Sequence, residues 1–286
     1  MRVSVHPREC RCVTGPHVNV DNFRRAGTNR MFAGILEVIG TGVGTWHHDR
    51  QFAPLDQQPV IRQNRDTFYS VSIADISAGA VLTLPDSGNR YLSAMVSNED
   101  HCINEVFHAG TYKLTTARFD TPYVCIGVRI LVDPNDPEDV KPVHALQDQL
   151  RLESTSAQPL PTPAYDEPSF TATRQALIEL SEGLGGYDHA FGSKEAVEPV
   201  RHLIGTAAAW GGLPQEEAYY VNVNPKLPVG EYQLIVRRRS GRRLLVDLAV
   251  QRGGLLRAQR PRRLQREQRH GGPERRRLDH CALRRR

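Results

Sequence analysis

The sequence predicts an α+β, β-rich fold: an antiparallel β-sandwich core with flanking helices. Between residues 60 and 132 apolar and polar residues alternate with a period of two. The runs are short and recur at about ten-residue spacing with turn residues between them, the pattern of an antiparallel sandwich or barrel. On either side of this region the period lengthens to three and four, as on the buried stripe of a helix. There is no G-x-S-x-G elbow, so an α/β-hydrolase serine is unsupported, and there is no P-loop or Rossmann glycine pattern.

Residues 1–17 read as a disordered lead. A first helix is expected over 21–39, where Phe23, Met31, Phe32, Ile35, Leu36 and Ile39 recur at helical spacing and Gly40, Gly42 and Gly44 end it. Trp46 to Arg50 reads as a loop, followed by a Pro- and Gln-rich connector through Pro59. Strands then follow: Val60 onward, with Tyr69, Val71 and Ile73 alternating with Ser70, Ser72 and Ala74; then 81–84, 91–96, 103–107, 111–114 and 123–132. Residues 85–90, PDSGNR, are turn chemistry. Asp136 is a natural N-cap and Pro137 suits the first helical position, with Glu138 and Asp139 matching the dipole. That helix is expected over 137–152, with Val140, Val143, Leu146 and Leu150 on one face. A Pro- and Ser-rich linker covers 154–168. Helices are expected at 169–184 (Phe170, Leu177, Leu180 and Leu184 inward, Gly185 and Gly186 as the stop) and at 194–209. The latter is capped by Ser193, with Val197, Val200, Ile204 and Ala207 on one stripe. Gly205 with Ala207, Ala208 and Ala209 lets another element approach closely. Residues 219–223 and 231–236 read as two further strands. The expected domains are 18–153 (helix plus sandwich), 154–236 (helical segment and the start of a second β-domain) and 237–286 (a disordered tail).

The 286 residues are 39% hydrophobic, which suits a globular protein. No apolar run reaches the roughly 18 residues of a membrane span, and no secretory leader is visible, so a cytoplasmic protein without a membrane partner is expected. Five unpatterned cysteines argue against a disulfide framework and for a reducing compartment. The net charge of +5 is unevenly distributed. Residues 237–286 hold eighteen Arg and four acids, a net of +14, which leaves 19 basic and 28 acidic residues, a net of −9, in 1–236. An acidic body gives no electrostatic case for specific nucleic-acid binding.

The tail itself reads as a frameshift. It lacks Phe, Tyr, Trp, Ile, Met, Asn, Thr and Lys, so it has nothing from which to build a core. Written in GC-rich codons and shifted by one base, Leu244 to Leu248 becomes Phe-Trp-Ser-Ile-Ser, and the stretch after it regains the aromatic alternation of a strand and turn. The alternative is a genuine Arg-rich tail for RNA or anionic surfaces.

Three polar knots stand among apolar segments: Asn64 to Asp66, Asn98 to His101, and the stretch beginning Arg201-His202. They are expected to meet around one site, because buried polar groups satisfy one another. Arg65 offers a planar fork for a carboxylate or phosphate. The candidate catalytic pair is His101 as base with Asp66 as its orienter. The candidate ligand-binding residues are Asn64, Arg65, Tyr69, Asn98, Asp100, His108, Arg201 and Trp210. If 98–101 lies in a strand, Asp100 and His101 face opposite sides and form no dyad. The alternative reading, which the frequency of such features favours, makes Arg65 and Asp66 an ion pair and His101 a hydrogen-bonded structural residue. His47-His48-Asp49 fits no zinc spacing, so neither metal nor cofactor is expected.

The motifs VNVDNFRRAGTNRMF, PVIRQNRDTFYS, TLPDSGNRYLSAMVSNEDH, VRILVDPNDPEDV, FGSKEAVEPVRHLIGTAAAWGG and AYYVNVNP, spanning residues 18–225, together resemble the family called Domain of Unknown Function 1254. Its members usually continue into Domain of Unknown Function 1214, whose opening resembles the shifted-frame peptide. The resemblance implies a β-rich sandwich with helices and homo-oligomers, and no assigned activity. Cys102 departs from the aromatic residue that often follows the family's Asp-His, and the second domain is absent as translated. Two functions remain open: an oligomeric binding or assembly protein whose polar site is structural or holds a small polar ligand, and a hydrolase-type enzyme for a small polar substrate with a His/Asp/Arg site.

Overall fold

Strand alternation builds two antiparallel sheets in the computed structural model, which describes residues 15–52, 64–218, 232–236 and 281–285. The chain forms two compact units, residues 1–51 with 67–222, and residues 52–66 with 223–286. The first holds helix α1 (Phe23–Ile39), strands β1 (His47–His48), β2 (Thr67–Asp75), β3 (Ala80–Leu84), β4 (Leu92–Asn98), β5 (Ile103–Phe107) and β6 (Gly110–Leu114). Helix α2 (Thr116–Phe119), strand β7 (Tyr123–Leu131), helix α3 (Pro137–Asp148), strand β8 (Arg151–Ser154) and helices α4 (Glu167–Leu180) and α5 (Pro199–Ala208) follow. The sheets run in the orders β1-β2-β7-β4-β5 and β6-β3-β8, every pairing antiparallel. This is the expected α+β fold: a sandwich-like core of two sheets with flanking helices.

The alternation explains which side of each strand is inside. Ala80, Leu82 and Leu84 of β3 are buried while Val81 and Thr83 are partly open. On β7, Val124, Ile126, Val128 and Ile130 line one fully buried face. The opposite face is covered at one end, where Ile73, Tyr123 and Cys125 pack under Phe32, Ile35 and Leu36 of α1 and under Trp210. At the other end Tyr69, Val71, Gly127, Arg129 and Met95 stay half-buried.

The helix ends follow their caps. Gly40 takes φ 70° and closes α1. Asp136 accepts from the Glu138 N–H, with Pro137 at the first position of α3. α3 stops at Asp148, short of the expected 152, because Leu152 pairs with Leu82 and the chain becomes β8. β1, read as loop, pairs with β2 through His47 and His48. The last helix begins at Pro199, not 194, since a residue before proline is driven to extended backbone and Glu198 is at ψ 124°. Ser193 is therefore not its cap; the Glu198 carboxylate accepts the Arg201 N–H instead. Val200, in the first turn, and Leu180, in the last turn of α4, are exposed rather than inward. Gly205 does admit a neighbour: a Cβ there would meet Ala190 and Phe191 at 3.1 Å.

In the second unit, β9 (Tyr232–Val236) pairs antiparallel with β10 (Cys281–Arg285). Strand β10 differs from the expectation of a tail without structure. The expected lead over 1–14, the strand start at 60–63, the strand at 219–223 and the rest of the tail lie outside the described residues. Among the described residues no helix is long and apolar enough to cross a membrane.

Candidate functional site

The chain between β4 and β5 is a turn, not a strand, so the strand-face argument for Asn98 to His101 does not apply. Asn98, buried at the end of β4, organises the turn. Its Oδ1 accepts the N–H of Asp100 and of Cys102, each at 2.9 Å, and its Nδ2 donates to the Phe119 carbonyl. His101 then takes φ 63°, the left-handed region, which throws its ring inward.

There the ring is fully enclosed. It stacks on Trp210 (centroids 5.2 Å apart, planes at 17°) and on His202 of α5 (5.5 Å, 14°), with Phe191 edge-on. Both ring nitrogens are engaged. The Gly211 N–H donates to Nε2 at 2.9 Å, which fixes Nε2 as the acceptor and leaves the proton on Nδ1. The Nδ1–H donates to Thr206 Oγ1 at 2.8 Å, and the Thr206 hydroxyl donates on to the His202 carbonyl. Burial, reinforced by His202 and Arg24 nearby, pushes the His101 pKa well below the ordinary histidine value. The ring is thus a neutral imidazole of fixed tautomer.

His202 is equally enclosed and donates from Nδ1 to the Ala190 carbonyl at 2.8 Å. Burial lowers its pKa as well, against the opposing pull of the Ala190 and Asp100 carbonyls. Cys102 lies 3.9 Å from His202 Nε2, and burial pushes its thiol up to about 11, the value of an inert, structural cysteine. The outer edge of the knot is ionic. Arg25 of α1 grips Asp100 with two bonds of 2.8 and 2.7 Å. Burial also raises the pKa of the neighbouring Glu99 carboxyl. Trp210 is held from behind by its Nε1–H, which donates to Thr28 Oγ1.

The structure therefore brings Asn98, Asp100, His101 and Trp210 together. From the third knot it is His202 and Thr206 that meet His101, while Arg201 donates its backbone N–H to the Glu198 carboxylate. Asn64, Arg65 and Asp66 belong to the other compact unit, where the Arg65 guanidinium lies 4.7 Å over the Phe52 ring. Tyr69 and His108 fall elsewhere, beside Arg129: Tyr69 is its cross-strand neighbour, and His108 sets its ring edge against Tyr91, which Arg129 also touches. Arg25, Thr28 and Arg129 were not singled out from sequence. For Arg129 a signal was present, a lone charge in the apolar run YVCIGVRIL with a glycine two residues before it. Among the described residues no group of His, Cys, Asp and Glu side chains is placed to hold a metal ion.

No curated protein matches the sequence. Among solved structures, the VPA0106 protein from Vibrio parahaemolyticus is similar, with a TM-score of 0.53 and 13% identity over 75% of this chain and 68% of that one. At that identity the likeness concerns the fold alone. Residues 43–101, which run from the loop before β1 through β4 to His101 itself, match the family described as protein of unknown function (DUF1254).

Proposed function

We propose that the protein is a binding or assembly protein of the DUF1254 family over residues 18–225, and that its polar knot around His101 is structural. The observation that carries this is the state of His101: fully enclosed, with Nε2 already accepting the Gly211 N–H and Nδ1–H already donating to Thr206. A hydrolase base needs an accessible lone pair, and His101 offers none. The knot instead ties α1, the β4–β5 turn and α5 into one body. The test compares the full chain with His101→Gln and Thr206→Val for thermal stability and for hydrolysis of p-nitrophenyl acetate. Lower melting temperatures with hydrolysis no higher than the buffer rate in all three proteins support the reading. Hydrolysis by the parent that both folded variants lack overturns it.

We further propose that residues 237–286 arise from a one-base shift, that the in-frame chain continues into a second β-domain resembling Domain of Unknown Function 1214, and that the intact protein forms homo-oligomers. The support is compositional: eighteen Arg and no aromatic residue in that stretch. The nucleotide sequence around the codons for 236–241 decides the frame, and light scattering on the frame-corrected protein decides the oligomer. A reducing, cytoplasmic setting suits Cys102 and Cys125, which are buried and free.

A further inference from the structure

Arg129 is a charge in the middle of an apolar strand. It sits on β7, the central strand of the five-stranded sheet, between Tyr69 of β2 and Ser93 of β4. Arg129 is half-buried, and an arginine drawn this far from water is normally paired with a carboxylate. Among the described residues this one is not. One terminal nitrogen donates to the Tyr91 hydroxyl and to Ser93 Oγ, both neutral, and Tyr91 also offers its ring face, 5.5 Å from the guanidinium carbon. Its Nε is buried without a partner. The guanidinium is thus held in place by hydroxyls, which orient it and leave its charge uncompensated.

The next position along the same face is Gly127, flanked by Val71 and Met95. Glycine weakens a strand interior and marks places where a ligand or another backbone approaches closely. A Cβ on Gly127 would meet nothing nearer than the Met95 methyl at 3.8 Å. Gly127 thus leaves the sheet face without a side chain between Val71 and Met95, a shallow hollow beside a guanidinium that has no carboxylate partner among the described residues. The hollow lies at the margin of the core, where half-buried Val71 packs against the cluster under α1 and Trp210 and half-buried Met95 packs against Ile103, Ala190 and Phe191. Positions two apart on one strand face are about 7 Å apart, the reach of a short alkyl chain.

We infer that Arg129, Tyr91 and Ser93 bind the carboxylate of a small organic acid whose hydrocarbon end fills the hollow over Gly127, between Val71 and Met95. A single planar cation suits a monoanion, and the apolar row asks for a tail. The inference goes beyond the structural role of His101 and does not depend on it, since the two sites share no side chain.

The chain contains three methionines, Met1, Met31 and Met95, so carbon-13 labelling of their methyl groups gives a direct probe of the hollow. The full chain is titrated with hexanoate, acetate, hexylamine and inorganic phosphate at matched ionic strength. Hexanoate is expected to shift the Met95 methyl saturably, and acetate to bind at least about tenfold more weakly for want of a tail. Arg129→Gln removes a charge-assisted bond and Gly127→Val fills the hollow; each is expected to weaken hexanoate at least about tenfold. An unmoved Met95 signal, an equal shift with hexylamine, phosphate binding as tight as hexanoate, or undiminished hexanoate binding in folded Arg129→Gln overturns the assignment. If either variant does not fold, the four titrations of the parent protein decide the matter alone.

Discussion

Replacing Thr206 by valine keeps the side chain's shape and removes one hydroxyl. In this protein that hydroxyl accepts the Nδ1–H of a fully enclosed His101 at 2.8 Å and donates to the His202 carbonyl. No water can reach the ring to replace it, so the Nδ1–H is left without a partner. An unmade bond at a buried donor costs about 1–3 kcal/mol, and the valine leaves almost no cavity to add to that. Taking about 2 kcal/mol, and 2–4 °C per kcal/mol for a domain of this size, the melting temperature should fall by roughly 4–8 °C. Circular dichroism on thermal unfolding, with guanidinium unfolding as a check, measures it. The sharper form is a double-mutant cycle with His101→Phe. Phenylalanine keeps the stack against Trp210 and His202 but has no Nδ1–H, so Thr206→Val should be nearly neutral in that background. The coupling should then amount to about 1–3 kcal/mol, most of the single-mutant effect. If Thr206→Val loses less than about 0.5 kcal/mol, or loses the same in both backgrounds, the hydroxyl does not hold the ring and the account of the knot is wrong.

Three further predictions concern the same unit. Burial lowers the pKa of both His101 and His202, so below about pH 6.5 the unfolded chain binds protons that the folded one refuses; stability is full above that value and is lost as pH falls through the folded values. Melting temperatures at about pH 7.5 and about pH 5.5 should show the drop, and the drop should shrink in His101→Phe. Cys102, its thiol pushed up to about 11, and Cys125, pushed up to about 12 by burial, should react with iodoacetamide at least a hundredfold or so more slowly than an ordinary thiol; site-resolved mass spectrometry in native buffer and in denaturant checks this. Glycine replacements should split by sign. A Cβ on Gly212 meets the Phe191 ring at 2.3 Å, so Gly212→Ala should destabilise by about 1–3 kcal/mol, while on Gly34 of α1 it meets nothing within 4 Å, so Gly34→Ala should stabilise by about 0.5–1 kcal/mol.

Period-two alternation was enough to find the strands that face a core on one side, such as β3. It was not enough where two forces competed over a few residues. Leu150 and Leu152 read as the end of a helix, but edge pairing with β3 draws Leu152 into β8. β1 is two residues long, below any period. The polar knots were legible because charged and amide side chains interrupt apolar runs. Which atoms meet was not, since adjacent residues on a helix point about 100° apart. That rotation separates Arg201, the residue expected to reach the site, from His202, the residue stacked on His101. Arg129 is not legible as a site from a strand pattern, in which one charge among apolar residues is noise; the structure reveals that its partners are hydroxyls.

The bonds that fix His101 join residues far apart in the chain: 105 positions to Thr206 and 110 to Gly211. Closing a loop of that length carries a large entropic penalty before any contact rewards it, so the imidazole stack is expected to form late, after the sheets and helices it links. Interactions absent from the folding transition state act on the rate of unfolding and leave the rate of folding nearly untouched. The ring between Trp210 and His202 is then a latch in the kinetic sense. It sets how long the native protein persists, and Thr206→Val should steepen the loss of native protein over time while refolding proceeds at its former pace.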